Sequence, residues 1–289
     1  MAINAVAALN RTSSIGQNKW QLPGDGKSNL TNRAGLKPAF PVSPFISAKE
    51  KTESQPQLGN ELLLSLPVDV SVKLQPAMQK VVFERGQTIY DIGDTFDFVY
   101  FPIDLVASRL CLMEDGAMIE VGVVGREGLL GISSMMGAIT ANCLTIAETG
   151  GTAIRVRTKL LRDIFRQNQK LQKILLNYYS DFLTQVSQRA ACRCRHTVAQ
   201  QLCTWLLLVH DRATGNDLAL TQETIANRLG ARRASVTVAL NELERNACVQ
   251  SRRGHIIISN RRGLENCACE CYDILRSDFH FELKAARVQ

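Results

Sequence analysis

Three arginine pairs and two cysteine clusters are the residues of this chain whose types and spacing could do chemistry. The arginine pairs fall at 232–233, 252–253 and 261–262. A guanidinium is a rigid fork of donors suited to phosphate and to the edge of guanine. The cysteines stand as "CRC" at Cys192 and Cys194, with His196 close by, and as "CACEC" at Cys267, Cys269 and Cys271. Thiolates at such spacing can hold zinc or an iron–sulfur cluster. Neither group is a CxxC pair, however, and on a helix only Cys267 and Cys271 would share a face. The expectation is free, partly buried thiols with no metal and no cofactor, and thiol redox sensing is the lesser alternative. His196, His210, His255 and His280 are scattered. No Ser/His/Asp or paired-carboxylate arrangement supports catalysis, so no enzyme is expected.

The elements that must position the arginines can be read from "LTQETIANRLGARRASVTVALNELE", Leu220 to Glu244. Thr221 can cap a helix whose first turn carries Glu223. Ile225, Ala226 and Leu229 make its buried face. Gly230 supplies the left-handed residue that a tight inter-helix turn requires. A second helix starts near Arg232 and buries Val236, Leu240 and Leu243. Small Ala226 lets the two helices cross closely, and this spacing is that of a helix-turn-helix. The next segment, "CVQSRRGHIIIS", reads as two strands turned at Arg253-Gly254, a β-wing. Between Thr221 and Arg262 there are eight arginines (228, 232, 233, 245, 252, 253, 261 and 262) against three glutamates (223, 242 and 244), a net of +5. A solvated charged face on a small helical domain is the plain alternative. Spacing, wing and charge agree on double-stranded DNA instead.

The rest of the chain divides by texture. Residues 1–57 are rich in Ser, Asn, Gln, Lys and Pro without a sustained period, and are expected to be a flexible arm. From Leu58 to about residue 157, short apolar runs alternate with Gly and Asp turns. Turns are expected at Gly86 and Gly93, and a hairpin through Asp115-Gly116, which together suggest a β-sandwich or β-roll. From Thr158 the period becomes helical. Leu171, Ile174, Leu175, Tyr178, Phe182, Leu183, Val186 and Ala190 recur at three- and four-residue steps. No Pro or Gly interrupts from Thr158 to Arg212, so one or two long helices fit. Such a stripe could pack on its own domain or on a second chain. The second chain is favoured, because Leu176 and Tyr179 add apolar surface beside the stripe.

Composition sets looser bounds. The 289 residues carry a formal net charge of +7, which favours an anionic partner, and 45% are hydrophobic, enough for a sizeable core. No apolar run approaches the roughly 18 residues of a membrane span. The first ten residues lack a basic n-region, so no secretory signal is expected. Nine cysteines, an odd number, then point to reduced thiols and a cytoplasmic protein.

These stretches together resemble the Crp/Fnr family of bacterial transcription regulators. "GQTIYDIGDTFDFVYF" and "VGVVGREGLLG" resemble its cyclic-nucleotide-binding-type β-roll, residues 170–195 its dimerisation helix, and 220–260 its winged helix. The resemblance implies an α+β fold: an N-terminal jelly-roll-like β-roll sensor over 58–157, a helical linker with the dimerisation helix over 158–211, and a winged helix-turn-helix domain over 212–285. It implies a homodimer on a near-palindromic operator, with RNA polymerase as a candidate partner and no membrane association. In the recognition helix "RRASVTVAL", Arg233 falls on the family's guanine-reading arginine. Ala234 and Val238 stand where the family often has a base-reading glutamate and a second arginine, so the operator should differ from the best-known consensus. Thr221, Gln222 and Ser235 fall on phosphate-contacting positions. Asn241 can reach base or phosphate, and Arg232, Thr237 and Arg253 complete the expected DNA-facing set.

The resemblance also marks an effector pocket at Glu127, Leu129, Leu130, Gly131 and Cys143. In cyclic-nucleotide binders of the family a Gly-Glu-Leu-Gly-like loop holds the ribose, followed by an arginine for the phosphate. Here the loop is Gly128-Leu129-Leu130-Gly131, and no Lys, Arg or His occurs from Glu127 to Ile154. A buried phosphate without a cation is costly, so no response to cyclic AMP is expected. Arg126 and Arg155, flanking the segment, are the cations that could fold inward. Either the roll is ligand-free or it takes an apolar or neutral effector. The family's iron–sulfur sensors use an N-terminal cysteine cluster, and this chain has no cysteine before Cys111.

Overall fold

The computed structural model describes residues 59–276. The expected arm at 1–57, and the part of the DNA-binding region beyond 276, lie outside the described residues. Two short helices open the described residues, α1 (Glu61–Leu64), capped by the Asn60 side chain, and α2 (Val68–Leu74). Strands β1 (Gln79–Phe83), β2 (Thr88–Tyr90), β3 (Phe98–Pro102), β4 (Ala107–Leu112), β5 (Met118–Val124), β6 (Leu144–Ala147) and β7 (Gly151–Arg157) follow. They pair antiparallel in two sheets, ordered β1-β7-β3 and β2-β6-β4-β5. Gly86, Gly93 and Gly116 turn the chain at φ of +80°, +92° and +84°, the left-handed region where a side chain is strained. Alternation along the strands sends Val81, Phe83, Ile89, Ala107, Ala147 and Ala153 into one buried cluster, which Leu105 joins from the β3–β4 connection.

Three helices follow where one or two were expected: α3 (Thr158–Gln167), α4 (Gln169–Arg195) and α5 (Val198–His210). The breaks are made by caps, not by breakers. The Asn168 side chain accepts from the Leu171 N–H, and Thr197 forms a capping box with Gln200. Each satisfies donors that a continued helix would have used internally.

The stripe on α4 corrects a second expectation. Leu175, Tyr178 and Phe182 are buried within their own chain. Two glycines let α4 lie that close to the sheet region: a Cβ at Gly122 would stand 2.7 Å from the Phe182 ring, and one at Gly128 2.4 Å from the Tyr178 hydroxyl. The Gln185 side chain also accepts from the Val123 N–H (2.8 Å), closing an edge of β5. Leu176 and Leu183, by contrast, are 47% and 45% exposed.

The C-terminal part holds β8 (Asp217–Leu218), α6 (Gln222–Leu229), α7 (Arg233–Arg245), β9 (Val249–Arg252), β10 (His255–Ile258) and α8 (Arg261–Cys267). A further helical stretch covers 271–276. The strands pair in the order β8-β10-β9. From Gln201 to Val209 every residue of α5 is buried. Trp205, Leu206 and Val209 share a core with Ile225, Leu229, Val236, Leu240 and Ile256. By packing, α5 therefore goes with the winged helix rather than with the linker expected over 158–211. Among the described residues no helix is long and apolar enough to cross a membrane.

Candidate nucleic-acid interface

The turn between α6 and α7 is built as the residue types require. Thr221 Oγ1 accepts from the Thr224 N–H at 3.0 Å. Gly230 ends α6 at φ +64° and donates to the carbonyls of Ala226 and Asn227. Arg232 is the N-cap of α7, and its side chain makes no capping bond. The positive end of the α7 dipole lies beside the exposed side chains of Arg232 and Arg233. Val236, Ala239, Leu240 and Leu243 form its buried face. Arg232, Arg233, Val238 and Asn241 are exposed on the other side, and Ser235 and Thr237 lie half-buried between the two faces.

Neighbouring contacts hold this surface in place. Thr237 Oγ1 donates to Gln222 Oε1 at 2.8 Å, linking the start of α6 to the first turns of α7. Arg233 Nε lies 4.0 Å from Glu223 Oε2, with both side chains mostly exposed, a pair that water screens heavily. In the wing, β9 and β10 pair from Arg252–His255 to Val249–Ile258, with Gly254 at φ +77°. The Ser251 N–H donates to Glu244 Oε1 (2.6 Å), fastening the wing to the end of α7. Arg252 and Arg253 are exposed at its tip.

Two of the eight arginines behind the sequence's +5 are committed elsewhere. Arg228 is 5% exposed, with Nε 2.8 Å from Glu148 Oε2. Arg261 Nη2 lies 2.5 Å from Asp211 Oδ1, and Arg261 also donates to the Tyr272 hydroxyl and to Glu265. Their charges are compensated internally, so they add little to a phosphate-facing field.

Among the described residues, Arg228 is one of three buried arginine–glutamate pairs that join the helices to loops and strands of the sheet region. Arg189 on α4 lies 3.0 Å from Glu120 on β5, and Arg212 after α5 lies 2.7 Å from Glu127. Glu120 is fully enclosed and also accepts from Trp205 Nε1 (2.9 Å) and Ser108 Oγ (2.7 Å). Arg193 donates to the carbonyls of Glu120 and Arg228. Burial, and then the charge of Arg189, pull Arg193 down to about 10, which leaves it cationic at neutral pH. Sequence reasoning missed this junction, because no local pattern tells a buried arginine from an exposed one.

Four of the five expected effector residues line a small cavity of about 20 Å³. Leu129, Leu130, Gly131 and Cys143 line it. Glu127 does not, because its carboxylate is spent on Arg212 and on the Gly125 N–H. The cavity does contain a cation, which corrects the expectation drawn from the segment 127–154. Arg109, from β4, lines it beside Tyr90, Asn142 and Thr145. Its Nη2 donates to Asn142 Oδ1 at 3.2 Å, and its guanidinium lies 5.1 Å from the Phe182 ring centre. Arg126 pairs with Glu61 and Arg155 with Gln79, so the two flanking cations are engaged outside the cavity. Tyr178 and Phe182 of α4 form part of its wall. Burial pushes the Tyr178 phenol well above its ordinary value, so it stays neutral.

Cys267 ends α8, and Ala268 leaves it with extended ψ of 160°, so Cys267 and Cys271 do not lie on one continuous helix. The chain instead brings Cys192, His196, Cys269 and Cys271 together.

Comparison with known proteins agrees with this geometry. Residues 200–267 match the family described as the Crp-like helix-turn-helix domain. A global nitrogen regulator of Synechococcus elongatus is 21% identical over 187 residues, covering 62% of this chain and 84% of that protein. The solved structure of FixK2 from Bradyrhizobium japonicum superposes with a TM-score of 0.57 at 18% identity, over 66% of this chain and 98% of that one. A Crp/Fnr-family transcriptional regulator from Thermus thermophilus does so with a TM-score of 0.55 at 20% identity, over 66% and 98%.

Proposed function

Taking the chain as a Crp/Fnr-type DNA-binding transcription regulator, we propose that it works as a homodimer whose two α7 helices enter successive major grooves of a near-palindromic operator. The observation that carries this is the sidedness of α7. One face is buried in the helical core, while Arg233, Val238 and Asn241 stand exposed beside an arginine-tipped wing. Arg233 reads a base edge, with Val238 offering apolar contact to a thymine methyl. Thr221, Gln222, Arg232, Ser235 and Arg253 serve the phosphates, and Thr237 holds Gln222 in position. The protein acts in the cytoplasm, RNA polymerase is its natural further partner, and no catalytic step is involved.

The dimer seam is the outer face of α4. Leu176, Tyr179, Leu183, Val186 and Ala190 follow one another at steps of three and four, the spacing of a coiled-coil seam. Leu176, Leu183 and Ala190 stand exposed and Tyr179 and Val186 half-buried at the margin of the protein's own core, which occupies the opposite face.

Cyclic AMP is not the effector. The cavity lacks a free ribose-binding carboxylate, Arg109 is engaged by Asn142 and Phe182, and about 20 Å³ is far below the several hundred Å³ typical of a ligand pocket. Calorimetric titration should show no saturable isotherm below roughly 100 μM.

Duplex binding as a function of salt tests the DNA reading. Affinity for any duplex should fall steeply as salt rises, with a slope near −0.9 per phosphate neutralised. A salt-independent or absent interaction would leave the winged helix as a protein-contact module.

A further inference from the structure

Four side chains from two distant stretches converge at the end of α4. Cys192 lies in the last turn of the helix and His196 is its C-cap. Cys269 and Cys271 come from the segment where the chain leaves α8. The ligand atoms of all four lie within 4.8 Å of one another. Cys192 Sγ is 3.6 Å from Cys269 Sγ, and Cys271 Sγ is 3.5 Å from His196 Nδ1. An ion with bonds of about 2.3 Å to sulfur and 2.0–2.1 Å to nitrogen in a tetrahedron requires edges of roughly 3.8 Å between sulfurs and 3.5 Å from sulfur to nitrogen. The two measured distances are close to those edges. Thiols are weak hydrogen-bond donors, so mutual attraction alone gives little reason for three to converge on an imidazole.

The surroundings are those of a ligand set. Glu270 Oε1 lies 3.2 Å from His196 Nε2. A carboxylate there holds the proton on Nε2 and turns the Nδ1 lone pair toward the sulfurs, the usual arrangement around a metal-bound histidine. Gln188 Nε2 donates to Cys271 Sγ at 3.1 Å, and Thr204 Oγ1 lies 3.2 Å from Cys269 Sγ. Three thiolates around a divalent ion leave one net negative charge. Arg193, whose guanidinium donates to carbonyls, lines the small cavity beside Cys192 and Cys271, where its charge offsets this one, while Arg189 in the same lining is paired with Glu120.

We propose that Cys192, His196 through Nδ1, Cys269 and Cys271 form a closed structural site for one zinc ion. Three sulfurs and one nitrogen at tetrahedral spacing are a zinc set, and with four protein ligands no position is left open for catalysis. A cluster of several irons would spread these ligands over more than one metal atom. Binding exchanges three thiol protons, released to solvent, for the ion. The ion ties the end of α4 to a segment 77 residues further along, and so fastens the C-terminal helical stretch to the helix that carries the dimer seam.

The test uses the untagged full chain purified under reducing conditions. Elemental analysis should find about one zinc per chain. Cys269→Ser and His196→Ala should each lower that content at least tenfold, while Cys194→Ser, at an exposed thiol two residues from Cys192, should retain it. Because a ligand variant can simply misfold, the wild-type protein supplies a second readout. After removal of zinc by a chelator, one equivalent of cobalt(II) should give the visible absorption of tetrahedral thiolate-bound cobalt, and zinc should abolish it. Three outcomes would overturn the site: reduced protein that carries no metal and gives no cobalt spectrum, iron in place of zinc, or a Cys192–Cys269 disulfide under the same conditions.

Discussion

Arg228 and Arg233 stand five residues apart and do opposite things. Arg228 on α6 is enclosed and held by Glu148 at 2.8 Å. The Arg233 side chain, at the start of α7, is 69% exposed, with only a loose neighbour in Glu223. The first neutralises a charge that burial would otherwise penalise heavily; the second keeps its charge free for an outside partner. Net charge over a segment adds the two together. Only the fold separates cations that join helices to the sheet region from cations that face a ligand. Helix α4 repeats the lesson with apolar residues, since Leu175 lies inside while its neighbour Leu176 faces out.

The largest expected effect lies on the buried side. Arg228→Ala strands the Glu148 carboxylate in a dry site and should lower stability by about 3–5 kcal/mol, read as a shift in the denaturant midpoint of the full chain. A surface-like loss of about 1 kcal/mol or less would show that water reaches Glu148 and would erase the contrast. Next comes α4. Leu176→Glu combined with Leu183→Glu should give a folded monomer by sedimentation, because these side chains support no core of their own. Leu175→Glu should instead unfold the region, since it buries a charge. Dimers surviving the double change would move the seam elsewhere.

Smaller effects sharpen the exposed side. Arg233→Ala should leave the denaturant midpoint unchanged and cost about 1–3 kcal/mol on the specific operator. Arg253→Ala, at the wing tip, should weaken all sequences alike and reduce the salt slope by about 1, which a titration on random duplex measures.

Much of this was legible because it is local. Gly116, Gly230 and Gly254 mark turns that need a left-handed residue, and each adopts one. Thr221 caps the helix expected of it. The helix breaks at Asn168 and Thr197 were hidden, because polar caps also occur inside helices and no Pro or Gly announces them. The inward face of α4 was hidden too. Both faces are apolar, and the choice rests on Gly122 and Gly128, some 50 residues earlier or more, which clear space for Phe182 and Tyr178. Arg109 escaped notice because it reaches the cavity from a strand outside the segment that resembles a nucleotide loop. Cys192 and Cys269 meet across 77 residues, and no spacing rule connects them.

The central claim is that the exposed face of α7 reads DNA sequence from a two-fold dimer. Selection of bound duplexes from a random pool, run in parallel with wild-type protein and Arg233→Ala, tests it most directly. The wild type should enrich a near-palindrome whose half-sites lie about 10–10.5 base pairs apart, centre to centre. The variant should lose its preference at one base pair in each half. An unenriched pool, or equal weakening by Arg233→Ala on selected and random duplexes, would contradict the account and reduce Arg233 to a phosphate contact.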